Sequence, residues 1–345
     1  ATGVVAVVPA AAGGRHRHRR PGAGAIGLPS IDGRCPPYFE DGPMCLVVNS
    51  KLHKQFPYMA EPFLGDISLT AAAVKGKDTL NTCLPPKWHH PIPLGKVTSR
   101  VVRAIPETDV AMGRIFESCA IIGSSGILNA YDNGAEIDAH DLVFRFNSAP
   151  VKGFEAAAGH KTTHRLTNTR NFAYREFPSE YVYVHLRNRG SMDSLVRYKM
   201  KNPSQRLYGV NPAWHKFMDK TFGYLSTSGL NGIIMAMHKC LKVHLYGFHV
   251  SPRQGHLYHY YNPKDVAANV GRDDQEWYVV KGLVEGGYVK FMEPCIIECH
   301  DSKEVCAQCV ADAKAAQGGT DKDVPDVIDI EEQGEEEDAV IPSTA

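Results

Sequence analysis

The alternation of short apolar runs with helical stretches, which begins near residue 117, constrains the fold of this chain more than any other feature. The apolar runs predicted as strands are Cys119–Gly123, Leu142–Phe146, Thr163–Leu166, Tyr181–Leu186, Arg206–Val210, Val243–Gly247 and Tyr288–Phe291. The stretches predicted as helices are Pro212–Phe222, Gly229–Leu241 and Asp274–Glu285. Strands that alternate with helices predict a three-layer, Rossmann-like α/β fold around a mostly parallel sheet.

Both ends of the chain differ from this region in composition. Residues 1–30 are rich in Ala, Gly, Arg and Pro, residues 31–95 combine many prolines with little periodicity, and the tail from 321 is acidic. Segments of low hydrophobicity or high charge tend to stay disordered. We therefore expect a disordered arm and a stem or N-terminal cover over 1–95, a folded domain over 96–310, and a disordered acidic tail over 311–345.

Charge and hydropathy narrow the classes of function. The chain carries 38 Lys and Arg residues against 38 Asp and Glu residues, so its formal net charge is zero. Nucleic acid is not expected as the partner, because proteins that bind it usually present an excess of basic residues. No stretch approaches the roughly 18 apolar residues of a membrane span. The nine cysteines suit either a reducing or an oxidising compartment.

A Gly-Ser-Ser-Gly turn follows the first predicted strand, over Gly123–Gly126. In open α/β sheets, ligands bind beyond the carboxyl ends of the strands, and small hydroxyl residues with free amides there can hold a phosphate or a ribose. The turn matches neither the GxGxxG pattern of dinucleotide oxidoreductases nor the GxSxG elbow of hydrolases, so both classes are disfavoured.

Four blocks of sequence carry a family resemblance. Segment 119–164, which includes Asp138, Asn147 and His164, resembles the large motif of the sialyltransferase family, glycosyltransferase family 29. Ser226–Phe248 is similar to the small motif, and His259-Tyr-Tyr-Asn262 is similar to the third motif. Glu276, Lys281 and Gly287 resemble the very small motif. The blocks stand in the family's order and cover about residues 115–295.

The resemblance implies a glycosyltransferase-A-like variant of the fold and an inverting transfer. Sialic acid, or a related 2-keto acid sugar, would pass from a CMP-activated donor to a glycan hydroxyl. Such a donor has one phosphate, so amides and hydroxyls can stabilise it without a metal or another cofactor. The only Asp-x-Asp, Asp321-Lys-Asp323, lies in the acidic tail. The family also implies a type II protein of the Golgi lumen, whose membrane anchor would lie upstream of residue 1.

The resemblance assigns roles to particular residues. The donor-binding positions are Ser124, Ser125, Asn147, Thr227, Ser228 and Gly229. The last three open a helix, whose amino end attracts the phosphate and the sugar carboxylate. The catalytic positions are His259, Asp273 and Glu276. His259 would contact the phosphate and donate to it, whereas Asp273 or Asp274 would replace the family's general base.

Two positions depart from the family pattern. Ser124 stands where the family usually has Asn, and its shorter side chain offers fewer hydrogen-bond donors. Gly271 stands where the family has the His expected to remove the proton of the acceptor hydroxyl. The second departure leaves an alternative open: a nucleotide-sugar-binding member of the family whose catalysis is impaired.

Cysteines form a central pair and a C-terminal cluster. Cys119 and Cys240 match the family's disulfide; without the resemblance, two buried free thiols would be the better interpretation, because each lies in an apolar run. The remaining cysteines after residue 290 follow the spacing C-x3-C-x6-C-x2-C, over Cys295, Cys299, Cys306 and Cys309. A zinc site fits this spacing, but local disulfides are favoured in a lumenal protein.

Overall fold

The structure, a computed structural model, describes residues 63, 65–82, 91–110, 112–248, 256–266 and 270–316. The predicted arm and the acidic tail from 321, with its Asp-x-Asp, lie outside the described residues. None of the described helices has both the length and the apolar character needed to cross a bilayer.

Seven parallel strands form the central sheet, in the order β7-β6-β5-β4-β3-β8-β9. Their bounds are β3 Phe116–Ile122, β4 Leu142–Phe146, β5 His164–Thr167, β6 Tyr181–Val184, β7 Leu207–Gly209, β8 Cys240–Tyr246 and β9 Lys290–Phe291. Every residue of β4 and β5 is buried, as expected for a parallel sheet that is covered on both faces. The predicted α/β class is confirmed.

Helices connect the strands. Their bounds are α1 Ala71–Val74, α2 Ser99–Ala104, a 3₁₀ helix Gly126–Ala130, α3 Gly134–Asp138, α4 Glu155–Ala158, α5 Arg189–Lys201, α6 Pro212–Phe222, α7 Ser228–Lys239, α8 Val270–Glu285, α9 Glu298–Asp301 and α10 Lys303–Ala316. The sequence missed α5 because only Ser191, Met192 and Leu195 are buried on it, so its apolar stripe is weak.

Helix α7 is the core helix of one face of the sheet. Nine consecutive residues, Leu230 to His238, are buried, so the helix is covered on all sides. The Trp214 Nε1–H of α6 donates to Asn231 Oδ1 at 3.1 Å, which satisfies two polar groups inside this layer. The tight packing fixes the amino end of α7 at the carboxyl edge of the sheet.

The N-terminal cover is more regular than the sequence predicts. Residues 31–95 were expected to lack periodic structure, yet β1 (Thr79–Thr82) pairs antiparallel with β2 (Ile92–Lys96). Ser68 bridges Val210, and the Leu69 N–H donates to Gly209 O at 2.7 Å. The described part of the cover therefore protects the edge strand β7 from solvent. Short β-strands with polar exposed faces explain why the pattern was missed.

The disulfide between Cys119 and Cys240 is present, with its Cα atoms 6.1 Å apart. Cys119 lies within β3, and Cys240 is the first residue of β8, where α7 ends. Both residues are buried in the main hydrophobic cluster. The bond therefore ties α7 and β8 to the strand that carries the Gly-Ser-Ser-Gly turn, as the resemblance predicted.

Candidate functional site

The Gly-Ser-Ser-Gly turn is joined to the end of β8. The Gly123 N–H donates to Tyr246 O at 2.7 Å, and the Ser125 N–H donates to Gly247 O at 3.1 Å. A Cβ atom added at Gly123 would lie 2.1 Å from Gly247 O, so only glycine permits this approach. The turn after β3 and the turn after β8 are thus hydrogen-bonded to each other at the carboxyl edge of the sheet.

The two serines of this turn have different surroundings. Ser125 is fully buried, and its hydroxyl accepts from the Ile127 N–H at 3.3 Å, which caps the 3₁₀ helix. Ser124 is half-buried, and its carbonyl accepts from the Tyr260 N–H at 2.8 Å. The hydroxyl of Ser124 is therefore the more accessible of the two for a ligand, whereas Ser125 shapes the turn.

Asn147 follows β4 in a left-handed conformation, with φ at 50°. Asn tolerates this conformation better than most residues. Its Oδ1 accepts from the Asn168 N–H at 3.0 Å, and its carbonyl accepts from Arg165 Nη1 at 3.1 Å. These contacts leave the Nδ2 amide as the side-chain group that can donate to a ligand.

Arg165 holds this turn, although no motif in the sequence marks it. Its buried guanidinium pairs with Glu180 at 2.7 Å and with Glu176 at 3.2 Å, and it donates to the carbonyls of Asn147 and Ala149. A buried cation is stable only when carboxylates and hydrogen bonds compensate its desolvation. An arginine within a predicted strand of the sheet is the sequence signal for this role.

The amino end of α7 is held by a residue of α8. Thr227 caps α7 by accepting from the Leu230 N–H at 3.1 Å. The Glu276 carboxylate accepts from both the Thr227 N–H, at 2.6 Å, and the Thr227 hydroxyl. Glu276, predicted as a catalytic residue, therefore positions this cap. The amides of Ser228 and Gly229 are the first-turn donors that an anion could use.

A histidine pair lies beside Ser228. His185 Nε2 is 3.1 Å from Ser228 Oγ, and the ring of His185 is centred 5.0 Å from that of His215. Burial lowers the pKa of His185 to about 3, so its ring is neutral at physiological pH. The predicted strand Tyr181–Leu186 includes His185, but β6 ends at Val184. His185 therefore lies just beyond the carboxyl end of the strand, where ligands bind in such sheets.

Phe248 connects the two sequence blocks. A Cβ added at Gly229 would lie 3.2 Å from its ring, and one added at Gly123 would lie 3.3 Å from it. The ring of Phe248 is also centred 6.3 Å from that of Phe146, the residue before Asn147. The ends of β3, β4 and α7 therefore surround one aromatic side chain.

The third motif lies against the Gly-Ser-Ser-Gly turn. The Gly126 N–H donates to Leu257 O at 2.8 Å. His259 Nδ1 is 2.6 Å from Asp265 Oδ2, and the His259 ring stacks on Tyr261 with centroids 5.0 Å apart. Asp265 assigns the proton to Nδ1 and fixes the ring orientation, which leaves Nε2 for a ligand.

Asp273, the predicted replacement for the general base, lies in the first turn of α8. It is buried, and the Tyr258 hydroxyl donates to its Oδ2 at 3.4 Å. This contact places the carboxylate against the segment that carries His259. Gly271 belongs to the same turn of α8.

The C-terminal cysteines form local disulfides, Cys295–Cys309 and Cys299–Cys306, which is the interpretation that the sequence favoured over zinc. They lie in a separate hydrophobic cluster with Tyr131. The bonds tie α10 to α9 and to the segment just before it.

The fold and the edge groups define a class: an α/β protein whose sheet gathers a Gly-Ser-Ser-Gly turn, an asparagine turn and a helix amino end at its carboxyl edge. The family model described as glycosyltransferase family 29 (sialyltransferase) matches residues 81–201 and 181–287. The chain belongs to this family.

Two relatives illustrate the sequence similarity. The chain is 28% identical over 213 residues to beta-galactoside alpha-2,6-sialyltransferase 2 of Bos taurus, which covers 52% of this chain and 40% of the relative. It is 32% identical over 164 residues to CMP-N-acetylneuraminate-beta-galactosamide-alpha-2,3-sialyltransferase 1 of Pan troglodytes, covering 41% of this chain and 47% of the relative. The chain thus spans less than half the length of these relatives.

The fold is also similar to that of a solved structure, a mammalian sialyltransferase in complex with Gal-beta-1-3GalNAc-ortho-nitrophenol. The TM-score is 0.50 and the identity 20%, over 71% of this chain and 97% of that chain. At this identity, the similarity supports the shared fold alone.

Proposed function

We propose that the chain transfers sialic acid, or a related 2-keto acid sugar, from a CMP-activated donor to a glycan hydroxyl with inversion. The observation that carries this proposal is the convergence of the α7 amino end and the Gly-Ser-Ser-Gly turn on Phe248. The names of the two relatives support a galactose-containing acceptor, and their different linkages leave the linkage of this chain open.

The donor would bind across this edge. The Asn147 Nδ2 amide and the Ser124 hydroxyl would contact the nucleotide. The amides of Ser228 and Gly229 would hold the phosphate and the sugar carboxylate, because the amino end of a helix carries a partial positive charge. Because His185 beside Ser228 is neutral, it would add no positive charge to the phosphate site. No metal is needed for a donor with one phosphate.

The chemical step would use the third motif and α8. As the acceptor hydroxyl attacks the anomeric carbon, the bond to CMP breaks and negative charge builds on the phosphate. With a proton on each ring nitrogen, His259 would donate from Nδ1 to Asp265 and from Nε2 to that phosphate. Asp273 would accept the proton of the acceptor hydroxyl. Glu276 would keep the α7 cap in place through Thr227.

The alternative remains a family member that binds the nucleotide sugar but turns it over poorly. The observation that favours it is Gly271, which places a residue without a side chain where the family has its base. Asp273, in the first turn of α8, is the carboxylate that would have to take over this role.

Calorimetry and transfer assays test the proposal. CMP should bind to the full chain, and transfer from CMP-sialic acid or CMP-Kdo to a β-galactoside should proceed equally in EDTA. CMP binding without transfer from either donor would favour the impaired member. Absence of CMP binding would contradict both forms of the proposal.

We further propose that the protein works in the Golgi lumen, anchored as a type II membrane protein. The disulfides among the described residues support an oxidising compartment. Fractionation of cells that express the full-length protein, with protease protection of its lumenal part, tests this location.

A further inference from the structure

His256, Cys299 and Cys306 bring three metal-ligating atoms together outside the donor site. The imidazole nitrogen and the two sulfur atoms all lie within 4.8 Å of one another. His256 Nε2 is 2.9 Å from Cys306 Sγ. Both cysteines are buried, and His256 is half-buried. Imidazole with two thiolates is a ligand set that Zn²⁺ prefers.

The surroundings favour such a site. The cysteines belong to a hydrophobic cluster that includes Ile127, Tyr131 and Trp277. A hydrophobic shell of this kind limits the access of solvent to a metal site. Cys299 lies on α9 and Cys306 on α10, so adjacent helices present the two sulfur atoms.

We propose that His256, Cys299 and Cys306 form a redox-dependent zinc site, closed by the disulfide when oxidised and able to bind Zn²⁺ once that bond is reduced. The three residues would supply three ligands, with a fourth position open to water, as in many zinc sites. The proposal does not depend on the proposed transferase activity.

The chemistry balances with a phosphine as the reductant. The phosphine gives two electrons to the Cys299–Cys306 bond and becomes a phosphine oxide by taking the oxygen of one water molecule. The two protons of that water end on the sulfur atoms. Zn²⁺ then displaces both protons to solvent as the thiolates and the His256 Nε2 bind it.

This disulfide is a better candidate for reduction than the central one. It joins residues only 7 apart, whereas the central bond joins residues 121 apart. A disulfide that closes a short loop removes less entropy from the unfolded chain, so the folded protein loses less stability when it opens.

The site lies next to the third motif in the chain. His256 begins the segment in which Leu257 accepts from Gly126, and the Tyr260 N–H donates to Ser124 O. Zinc binding at His256 would therefore fix one end of the segment that covers the Gly-Ser-Ser-Gly turn.

The test loads zinc into the reduced chain. The full chain is treated with a phosphine under native conditions, freed of reductant without oxygen, incubated with Zn²⁺ and desalted, and its zinc is measured by mass spectrometry. Alkylation and peptide mapping establish that Cys119–Cys240 stays intact. We expect about one zinc ion per reduced chain and none on the oxidised chain. Co²⁺ in its place should give the charge-transfer absorption of thiolate ligands.

Matched variants decide the assignment. His256→Ala and the double variant Cys299→Ser/Cys306→Ser should each lower zinc affinity more than about tenfold. The double variant Cys295→Ser/Cys309→Ser keeps all three proposed ligands and should retain zinc. His256→Gln serves as a milder substitution if His256→Ala does not fold. Zinc retention that is equal in all variants, absent from the reduced chain, or lost only with Cys295 and Cys309 would overturn the proposal.

Discussion

The central region of the molecule, residues 112–248, and its C-terminal region, residues 256–316, contribute differently to the candidate site. In the central region, main-chain amides, two glycines and an asparagine turn would form the donor side, and the strands lie close to the predicted ones, although the sequence missed α5. In the C-terminal region, side chains must supply the acid and base, and there Gly271 departs from the family. Under the proposed function, this comparison predicts a donor side that keeps its family form and an acceptor side that has changed at Gly271.

The largest expected effect is the loss of folding stability when a disulfide is removed, and it should differ between the two regions. The Cys119–Cys240 bond spans 121 residues, and the Cys295–Cys309 bond spans 14. Loop entropy predicts that Cys119→Ala/Cys240→Ala lowers the free energy of unfolding by about 4–5 kcal/mol, against about 3 kcal/mol for Cys295→Ala/Cys309→Ala. Urea unfolding measures both. An equal or larger loss from the C-terminal pair would contradict the expectation that the disulfide with the longer loop contributes more stability.

The next effect concerns the missing base. Gly271→His restores the family residue and should raise turnover by about 10²–10⁴-fold, with CMP affinity nearly unchanged, because the new group acts on the acceptor. Steady-state kinetics and CMP titration measure the two effects. Gln275→His, which adds an imidazole to an exposed position of the same helix, is the control and should change neither. Fast transfer by the unmodified chain would show that Gly271 is not the position of the family's base, or that the base is not Asp273.

A third effect lies at the contact between the regions. Burial raises the pKa of Glu293 to about 7, while one of its oxygens accepts from the Gly247 N–H at 2.7 Å. A carboxyl with a raised folded-state pKa binds its proton more tightly when folded, so stability falls as pH rises from about 4.5 to 7. Glu293→Gln cannot ionise at this position. Relative to this variant, the free energy of unfolding of the wild type should fall by about 3 kcal/mol between pH 5 and 8. Parallel pH profiles of unfolding for the two proteins would contradict this.

The smallest of these stability effects has the opposite sign and lies in the central region. Burial lowers the pKa of His238 to about 4; its Nδ1–H bonds Ile234 O at 2.7 Å, and its Nε2 accepts from the Phe63 N–H. Stability is complete above about pH 6.5 and declines as pH falls towards 4. The wild type should lose about 2 kcal/mol more than His238→Gln between pH 7 and 5. Thermal unfolding at the two pH values checks this.

The same two regions show how far the sequence could be interpreted. Strand β4 (Leu142–Phe146) and helix α6 (Pro212–Phe222) match their predicted bounds, because apolar runs and an Asn-Pro helix start are local signals. The contact of Glu276 with Thr227 joins residues 49 apart and follows from how α8 packs, which no local pattern encodes. Similarly, the capping role of Ser125 depends on the 3₁₀ helix that follows it, and the sequence did not predict that helix.

Titration of CMP into three proteins tests the donor side most directly. Asn147→Gly removes the side chain without penalising the left-handed backbone, whereas Asn147→Asp keeps the acceptor for Asn168 and replaces the amide donor with a negative charge. The account predicts that the wild type binds CMP. Asn147→Gly should weaken the free energy of CMP binding by about 1–3 kcal/mol, and Asn147→Asp should weaken it more. CMP affinity that is unchanged in both variants would contradict a donor pocket at the carboxyl edge of the sheet.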